Sequence, residues 1–237
     1  MTRIGIILAM EEEISELIKY LKNIKKYTIF DLTFYEGIIS NSKCFLVESG
    51  VGKVNSARTT QILIDNFQVD YIFNIGVAGG ISKTLKVGDI VIGEKLVQHD
   101  FDITAFNHEK GYIPKVGVYL ESDKYLVKLA QESFDSNDDK RAFTGTIASG
   151  DIFCTDTNMA EKINKKFNAL CVEMEGASIA QVCFLSHIPF LILRSISDTP
   201  NNDNIKTYDE FLEESCKIIA AKMNSILSKL DKRQNSN

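Results

Sequence analysis

The run ALCVEMEGASIAQVCFLSHIPFLILRSISD, Ala169 to Asp198, contains the pattern that decides the fold. ALCVEM is short and apolar enough for a buried strand, and EGASIAQVCFLSH is the helix after it. PFLILRSISD is a second, very apolar strand. Strand, helix and strand in succession, with both strands nearly continuous in apolar residues, point to a sheet covered by helices on both faces. Two carboxylates, Glu173 and Glu175, interrupt the apolar run where strand gives way to helix. An unpaired buried carboxylate either costs several kcal/mol or takes up a proton, so their presence there asks for a reason.

The same alternation extends outward in both directions. RIGIILA is a first buried strand, and EEEISELIKYLKNI after it repeats apolar residues at helical spacing. FLVESG, VNSARTTQILIDNF and YIFNIGVAGG read as strand, helix and strand. DIVIGEKLVQHD is a further strand, followed by an irregular segment from Phe101 to Glu121. DKYLVKLAQESF is helical, RAFTGTIASGD extended and MAEKINKKF helical, and YDEFLEESCKIIAAKMNSILSKL forms a long amphipathic last helix. The expected architecture is one α/β domain over residues 1–231 with a largely parallel or mixed sheet. The polar run Asp135 to Lys140 reads as a surface loop, and residues 232–237 as a frayed tail.

Bulk properties narrow the function. A chain of 237 residues, 44% hydrophobic and 25% charged, describes an ordinary globular protein. A net charge of −5, without a basic stripe, argues against a nucleic-acid partner. The first apolar run meets Glu11, Glu12 and Glu13 at once, unlike a signal peptide, and no stretch reaches membrane-spanning length. Five scattered cysteines without a CxxC pair fit reduced thiols in a cytoplasmic protein. The three histidines lack metal-ligand spacing, so no metal is expected.

In sheets of this kind ligands collect at the carboxyl ends of strands. Those ends carry Met10 to Glu13, Val51 and Gly52, Val77 to Gly80, Ser149 to Phe153, Glu173 to Glu175, and Ser197 with Asp198. SGVGKV and IGVAGG match neither nucleotide-phosphate glycine motif, which leaves tight turns or a close-approach surface for a small ligand. The Glu11–Glu13 triplet suits a helix N-terminus, and one member is also a candidate base. Asp198 is either a cap or an acid at the lip of a cleft. Arg194, inside an apolar strand, needs a carboxylate partner such as Glu175. If the segment stays extended, Glu173 and Glu175 share a face, one held by backbone amides and the other open to ligand. Three acids on neighbouring strand ends suit cleavage of a glycosidic bond, and so a small-molecule hydrolase or transferase.

The motifs AMEEEI, SGVGKV, GVAGG, LKVGDIV, QHDFDITAF, ASGDIF, VEMEGASIA and LRSISD with YDEFL resemble, in order and spacing, the 5′-methylthioadenosine/S-adenosylhomocysteine nucleosidases. The resemblance runs from Ile4 to about Leu230. It implies a single three-layer α/β domain with a mixed, barrel-like sheet, working as a homodimer without cofactor or metal on adenosine thioethers. It also implies roles for individual residues. Glu175, supported by Arg194, would hold the ribose hydroxyls with Met174 against the sugar, and Glu173 would stand beside them in the substrate site. Glu13 would activate water, and Asp198, helped by Ser197, would protonate adenine N7. Phe153 would stack on the purine, and the Cys154 backbone would read its edge. Val77, Ala78 and Gly79 would lie near the sugar. Met10, Val51 and Phe211 would receive the 5′-thioalkyl group, with Phe106 and Pro114 donated by a second subunit. The sequence departs from the commonest pattern at Val77, where relatives often carry serine, and at Cys154, where a branched aliphatic is usual. A phosphorylase of the same superfamily and a non-catalytic nucleoside binder are the rival readings.

Overall fold

In a computed structural model describing residues 1–134, 141–199 and 204–234, the chain opens with strand β1 (Arg3–Leu8). Its side chains alternate, Ile4, Ile6 and Leu8 entering one apolar core and Ile7 the other. Helix α1 (Glu11–Ile18) follows, then β2 (Lys22–Ile29), β3 (Leu32–Ile39) and β4 (Ser42–Glu48). Helix α2 (Lys53–Phe67) leads to β5 (Tyr71–Gly80), β6 (Ile90–Gln98) and the short β7 (Leu120–Glu121). The remaining elements are α3 (Lys124–Phe134), β8 (Ala142–Ser149), α4 (Thr157–Phe167), β9 (Ala169–Glu173), α5 (Gly176–Leu185), β10 (Phe190–Asp198) and α6 (Asn204–Gln234).

Five strands close a ring in the order β10, β6, β8, β9, β5 and back to β10, while β1, β4, β3 and β2 continue from β5 as an open flank. Closure depends on β5 serving two neighbours. Ile72 to Gly79 run parallel to Phe190 to Asp198, with a bulge between Ile196 and Asp198. The last residues, Gly79 and Gly80, then turn onto Val172 and Cys171 of β9 in antiparallel register. The ends of two oppositely directed strands are thereby brought together. Helices α1, α3 and α6 cover one apolar core, α2 and α5 the other, and α4 a smaller third cluster. This is one α/β domain with a mixed sheet between helical layers, as the alternating pattern implies, and the sheet is barrel-like, as the family resemblance implies. Every residue of β10 is buried, which accounts for its unbroken apolar character. Among the described residues, no helix is long and apolar enough to cross a membrane.

The structure corrects the sequence reading near the N-terminus. The helical spacing of EEEISELIKYLKNI ends at Ile18, and Lys22 onward belongs to the β2–β3 hairpin. Strand β2 is exposed along nearly its whole length and, among the described residues, pairs only with β3. Its lysines, Lys22, Lys25 and Lys26, guard a free edge against further pairing, and the same spacing imitates a charged helix face. The irregular segment after β6 is also less exposed than its composition suggests. Phe106 is 76% exposed, but Ile113 is buried, and Phe101, Ile103 and Tyr112 are half-buried. The loop expected at Asp135 to Lys140 lies outside the described residues, as do Asn235 to Asn237 of the expected tail; α6 runs to Gln234.

Candidate active site

The strand ends assemble a cavity of about 480 Å³. Of the expected residues, Met10, Glu13, Val51, Val77, Ala78, Gly79, Phe153, Glu173, Met174, Glu175, Ser197 and Asp198 line it. Four of these are acids brought from three separate strand ends. Among the described residues, neither lysine nor arginine contributes to the lining.

Glu13 reaches the cavity from the first turn of α1. Its Oε2 accepts from the backbone amides of Ala9 at 2.8 Å and Met10 at 3.2 Å, so it caps its own helix. Its Oε1 accepts from the Val77 amide at 3.1 Å. The triplet therefore divides, with Glu11 and Glu12 exposed and Glu13 buried. Gly76 makes the approach possible, since a Cβ there would stand 2.5 Å from Glu13 Oε1. Burial pushes the Glu13 carboxyl up from its ordinary range, against the Arg194 guanidinium and three backbone amides.

Glu173 ends β9, and Glu175 is the N-cap residue of α5. Glu173 Oε2 accepts from the amides of Glu175 at 3.1 Å and Gly176 at 2.7 Å, and from Arg194 Nη2. Its Oε1 takes the Ser149 hydroxyl, which itself accepts from the Ala177 amide at 2.7 Å. Glu173 is thus the carboxylate held by backbone amides, favoured there by the helix N-terminus. Glu175 Oε1 accepts from the Gly52 amide at 2.9 Å. Burial raises the Glu175 carboxyl, and the Glu173 charge adds to the shift; Arg194 and the Gly52 amide oppose it.

Arg194 lies behind the cavity and is 1% exposed. Its direct carboxylate partner is Glu173, whereas Glu175 Oε2 is 3.9 Å away, so the pairing expected with Glu175 is secondary. Nη2 also donates to Asn74 Oδ1, and Nη1 to the Leu193 carbonyl at 3.0 Å. Asn74 is itself fixed by donating to the Ile7 carbonyl at 3.0 Å.

Asp198 is 2% exposed at the end of β10, opposite Gly79 of β5. Its Oδ1 accepts from the Ser197 hydroxyl at 2.8 Å. Phe153 forms a half-exposed wall and meets Tyr208 edge to face at 5.8 Å between ring centroids. Tyr208, with Ala9 and Val172, lines the cavity and was missed by sequence reasoning. Its hydroxyl donates to Met10 Sδ at 3.1 Å. Phe211, expected in this place, is 38% exposed and outside the lining. The two aromatics are three residues apart on one helix face, so the periodicity of YDEFL does not separate them. Cys154 is buried beside the wall with its thiol toward the Asp156 carbonyl at 3.8 Å. Phe106 and Pro114 are exposed and lie outside the cavity of their own chain.

Comparison with known proteins shows the family to which this fold belongs. Residues 3–230 match the family model of the phosphorylase superfamily. A curated relative from Bacillus pumilus, a 5′-methylthioadenosine/S-adenosylhomocysteine nucleosidase, is 42% identical over 214 residues, 90% of this chain and 93% of its own. The structure of such a nucleosidase from S. pneumoniae with the transition-state inhibitor MT-ImmA superposes with a TM-score of 0.93 at 40% identity, covering 97% of this chain and 100% of that one. Futalosine hydrolase of Helicobacter pylori superposes with the same TM-score at 35% identity, over 96% of this chain and 98% of its own. The chain belongs to the phosphorylase superfamily and, within it, to the 5′-methylthioadenosine/S-adenosylhomocysteine nucleosidase family.

Removing the Arg194 guanidinium from this centre has a pH-dependent cost. Glu13 and Glu175 have raised folded-state pKa values, so the stability they contribute is present below their unfolded values and lost as pH rises through the raised ones. Arg194→Met drives both carboxyls higher and leaves Glu173 without its partner. The substitution is expected to cost about 3–5 kcal/mol at neutral pH. In urea unfolding, the gap from wild type is expected to be wider at about pH 8 than at about pH 5.

Proposed function

We propose that the protein hydrolyses the N-glycosidic bond of 5′-methylthioadenosine and S-adenosylhomocysteine, and also of 5′-deoxyadenosine, releasing adenine and the 5-substituted ribose. The observation that carries the choice of water over phosphate is a cavity lined by four acids and, among the described residues, by no lysine or arginine. A phosphate dianion about 4 Å from one carboxylate, at an effective dielectric near 20, meets roughly 8 kcal/mol of repulsion. Water meets none and gains a base. Val77 presents an isopropyl group where a hydroxyl would help hold phosphate.

Each acid has a distinct task in this reading. Glu175 accepts the ribose hydroxyls, with Met174 against the sugar. Glu13, held by three amides and raised by burial, takes the proton of the attacking water as the sugar becomes cation-like. Asp198, steadied by the Ser197 hydroxyl, protonates adenine N7 so that the base leaves neutral. Phe153 stacks on the purine, the Cys154 backbone reads its edge, and Met10, Val51 and Tyr208 receive the 5′ substituent. The chain's place in metabolism is then methionine salvage in the cytoplasm, with its five buried cysteines kept as reduced thiols.

The deciding experiment is incubation with 5′-methylthioadenosine in phosphate-free buffer and again with added phosphate. Adenine and free pentose sugar are expected at the same rate in both. Formation of pentose 1-phosphate, or adenine release that requires phosphate, would make the enzyme a phosphorylase; release of no adenine at all would leave a nucleoside binder.

Asp198→Asn and Glu13→Gln are each expected to lower adenine release by about 10²- to 10⁴-fold while the chain still folds and binds adenine. A loss of less than about tenfold in either variant removes that residue from proton transfer.

The protein is further proposed to be a homodimer in which Phe106 and Pro114 of each chain close the other's site. The exposure of the Phe106 ring supports this, because a large apolar side chain on a loop gains most by finding a partner. Sedimentation at micromolar concentration should show the dimer. A fully active monomer contradicts it.

A further inference from the structure

Asp100 lies just past β6, outside the cavity, yet both its carboxylate oxygens are committed to segments that wall it. Oδ1 accepts from Lys53 Nζ at 2.7 Å, and Oδ2 accepts from the Asp151 amide at 3.0 Å. Asp151 completes a triangle by accepting the Lys53 amide on its own Oδ1 at 2.8 Å. Lys53 is the first residue of α2, whose N-cap is Gly52 at φ 102° with no side-chain cap, so Asp151 caps that helix from another part of the chain. Lys53 Nζ also donates to Gln98 Oε1 at 3.2 Å, and Gln98 donates to Gln181 of α5 at 2.7 Å.

The neighbours of these residues touch the site. Val51 lines the cavity, the Gly52 amide holds Glu175 Oε1, and Phe153 stands two residues beyond Asp151. We infer that Lys53, Asp100 and Asp151 are positioning residues that hold the Gly52 amide on Glu175 and fix the segment that carries Phe153. This assignment rests on the proposed nucleosidase activity. An isolated surface ion pair contributes little. Here Lys53 and Asp100 side chains are 17% and 19% exposed, and each joins more than one segment. Burial raises the Asp100 carboxyl, but Lys53 and the Asp151 amide outweigh it and leave the group below its ordinary range, consistent with a persistent charge.

The test is a kinetic comparison of wild type, Lys53→Met, Asp100→Ala, the double variant and Lys53→Arg, with melting temperatures measured alongside. For 5′-methylthioadenosine, kcat/KM is expected to fall about ten- to a hundredfold in each truncation, more through KM than kcat, because misplaced contacts weaken ground-state binding. The double variant should be no worse than the poorer single one, since one device is broken in each case. Lys53→Arg, which keeps the cation, should recover most of the loss. The acid limb of the pH profile should move to higher pH, because Glu175, faced by Glu173, Glu13 and Arg194, loses the amide that holds its pKa down. Lower melting temperatures with unchanged kinetics and pH profile would reduce the triangle to structural glue and overturn the proposal. Should wild type release no adenine, the nucleosidase reading fails separately. Amide hydrogen exchange at Gly52 and Asp151 then decides: faster exchange in the truncations supports the clamp, and unchanged exchange overturns it.

Discussion

One buried guanidinium faces three carboxylates, and the rest of the site depends on that imbalance. Arg194 bonds Glu173 directly, stands 3.9 Å from Glu175 and partly opposes the burial that raises the Glu13 carboxyl. Burial alone would favour the uncharged form of Arg194, but the three carboxylates more than compensate and keep it protonated. One cation cannot neutralise three anions in a low-dielectric interior. The remaining charge is managed by backbone amides: three on Glu13, two on Glu173 and one on Glu175.

That arrangement is possible only because the ring closes as it does. Parallel pairing of β5 with β10 sets Arg194 beside Gly76. A side chain at Gly76 would occupy the place of the Glu13 carboxylate. The turn of β5 onto β9 brings Gly79 and Gly80 to Val172 and Cys171, one residue short of Glu173. The bulge before Asp198 then sets that acid opposite Gly79. Close backbone approach at glycine thus converts a sheet register into a cluster of acids around one space.

Most of this order was legible in the sequence because buried strands leave a strong apolar signal. The run Phe190 to Asp198 is buried throughout and could hardly be read otherwise. The β2–β3 hairpin was not legible: an exposed edge strand has no buried face to impose alternation, and its lysines imitate a helix surface. Within the site, residue types at strand ends named nearly the whole lining, but not the partner of Arg194. Glu173 and Glu175 are equivalent in a linear reading. The structure separates them because the α5 amides converge on Glu173, while Glu175 turns to Gly52. Tyr208 and Phe211 were likewise equivalent on one helix face, and only the packing of α6 places Tyr208 against Met10 and Phe153.

The two ends of the cavity impose different degrees of selectivity. At the acidic floor, recognition uses buried polar groups, and a ligand without matching hydroxyl or ring nitrogen leaves them unpaired, a penalty that discriminates strongly. Met10, Val51 and Tyr208 offer mostly apolar surface, and apolar contacts distinguish substituents by only about 10- to 200-fold per methylene. On the proposed reading, such a site is strict about the ribosyl base and tolerant of what hangs from the 5′ carbon. That contrast accounts for one fold whose relatives carry the names of methylthioadenosine, S-adenosylhomocysteine and futalosine. In this chain the Tyr208 hydroxyl is the polar exception on that apolar surface. A thioether is a weak acceptor, so the bond to Met10 Sδ holds this hydroxyl only loosely.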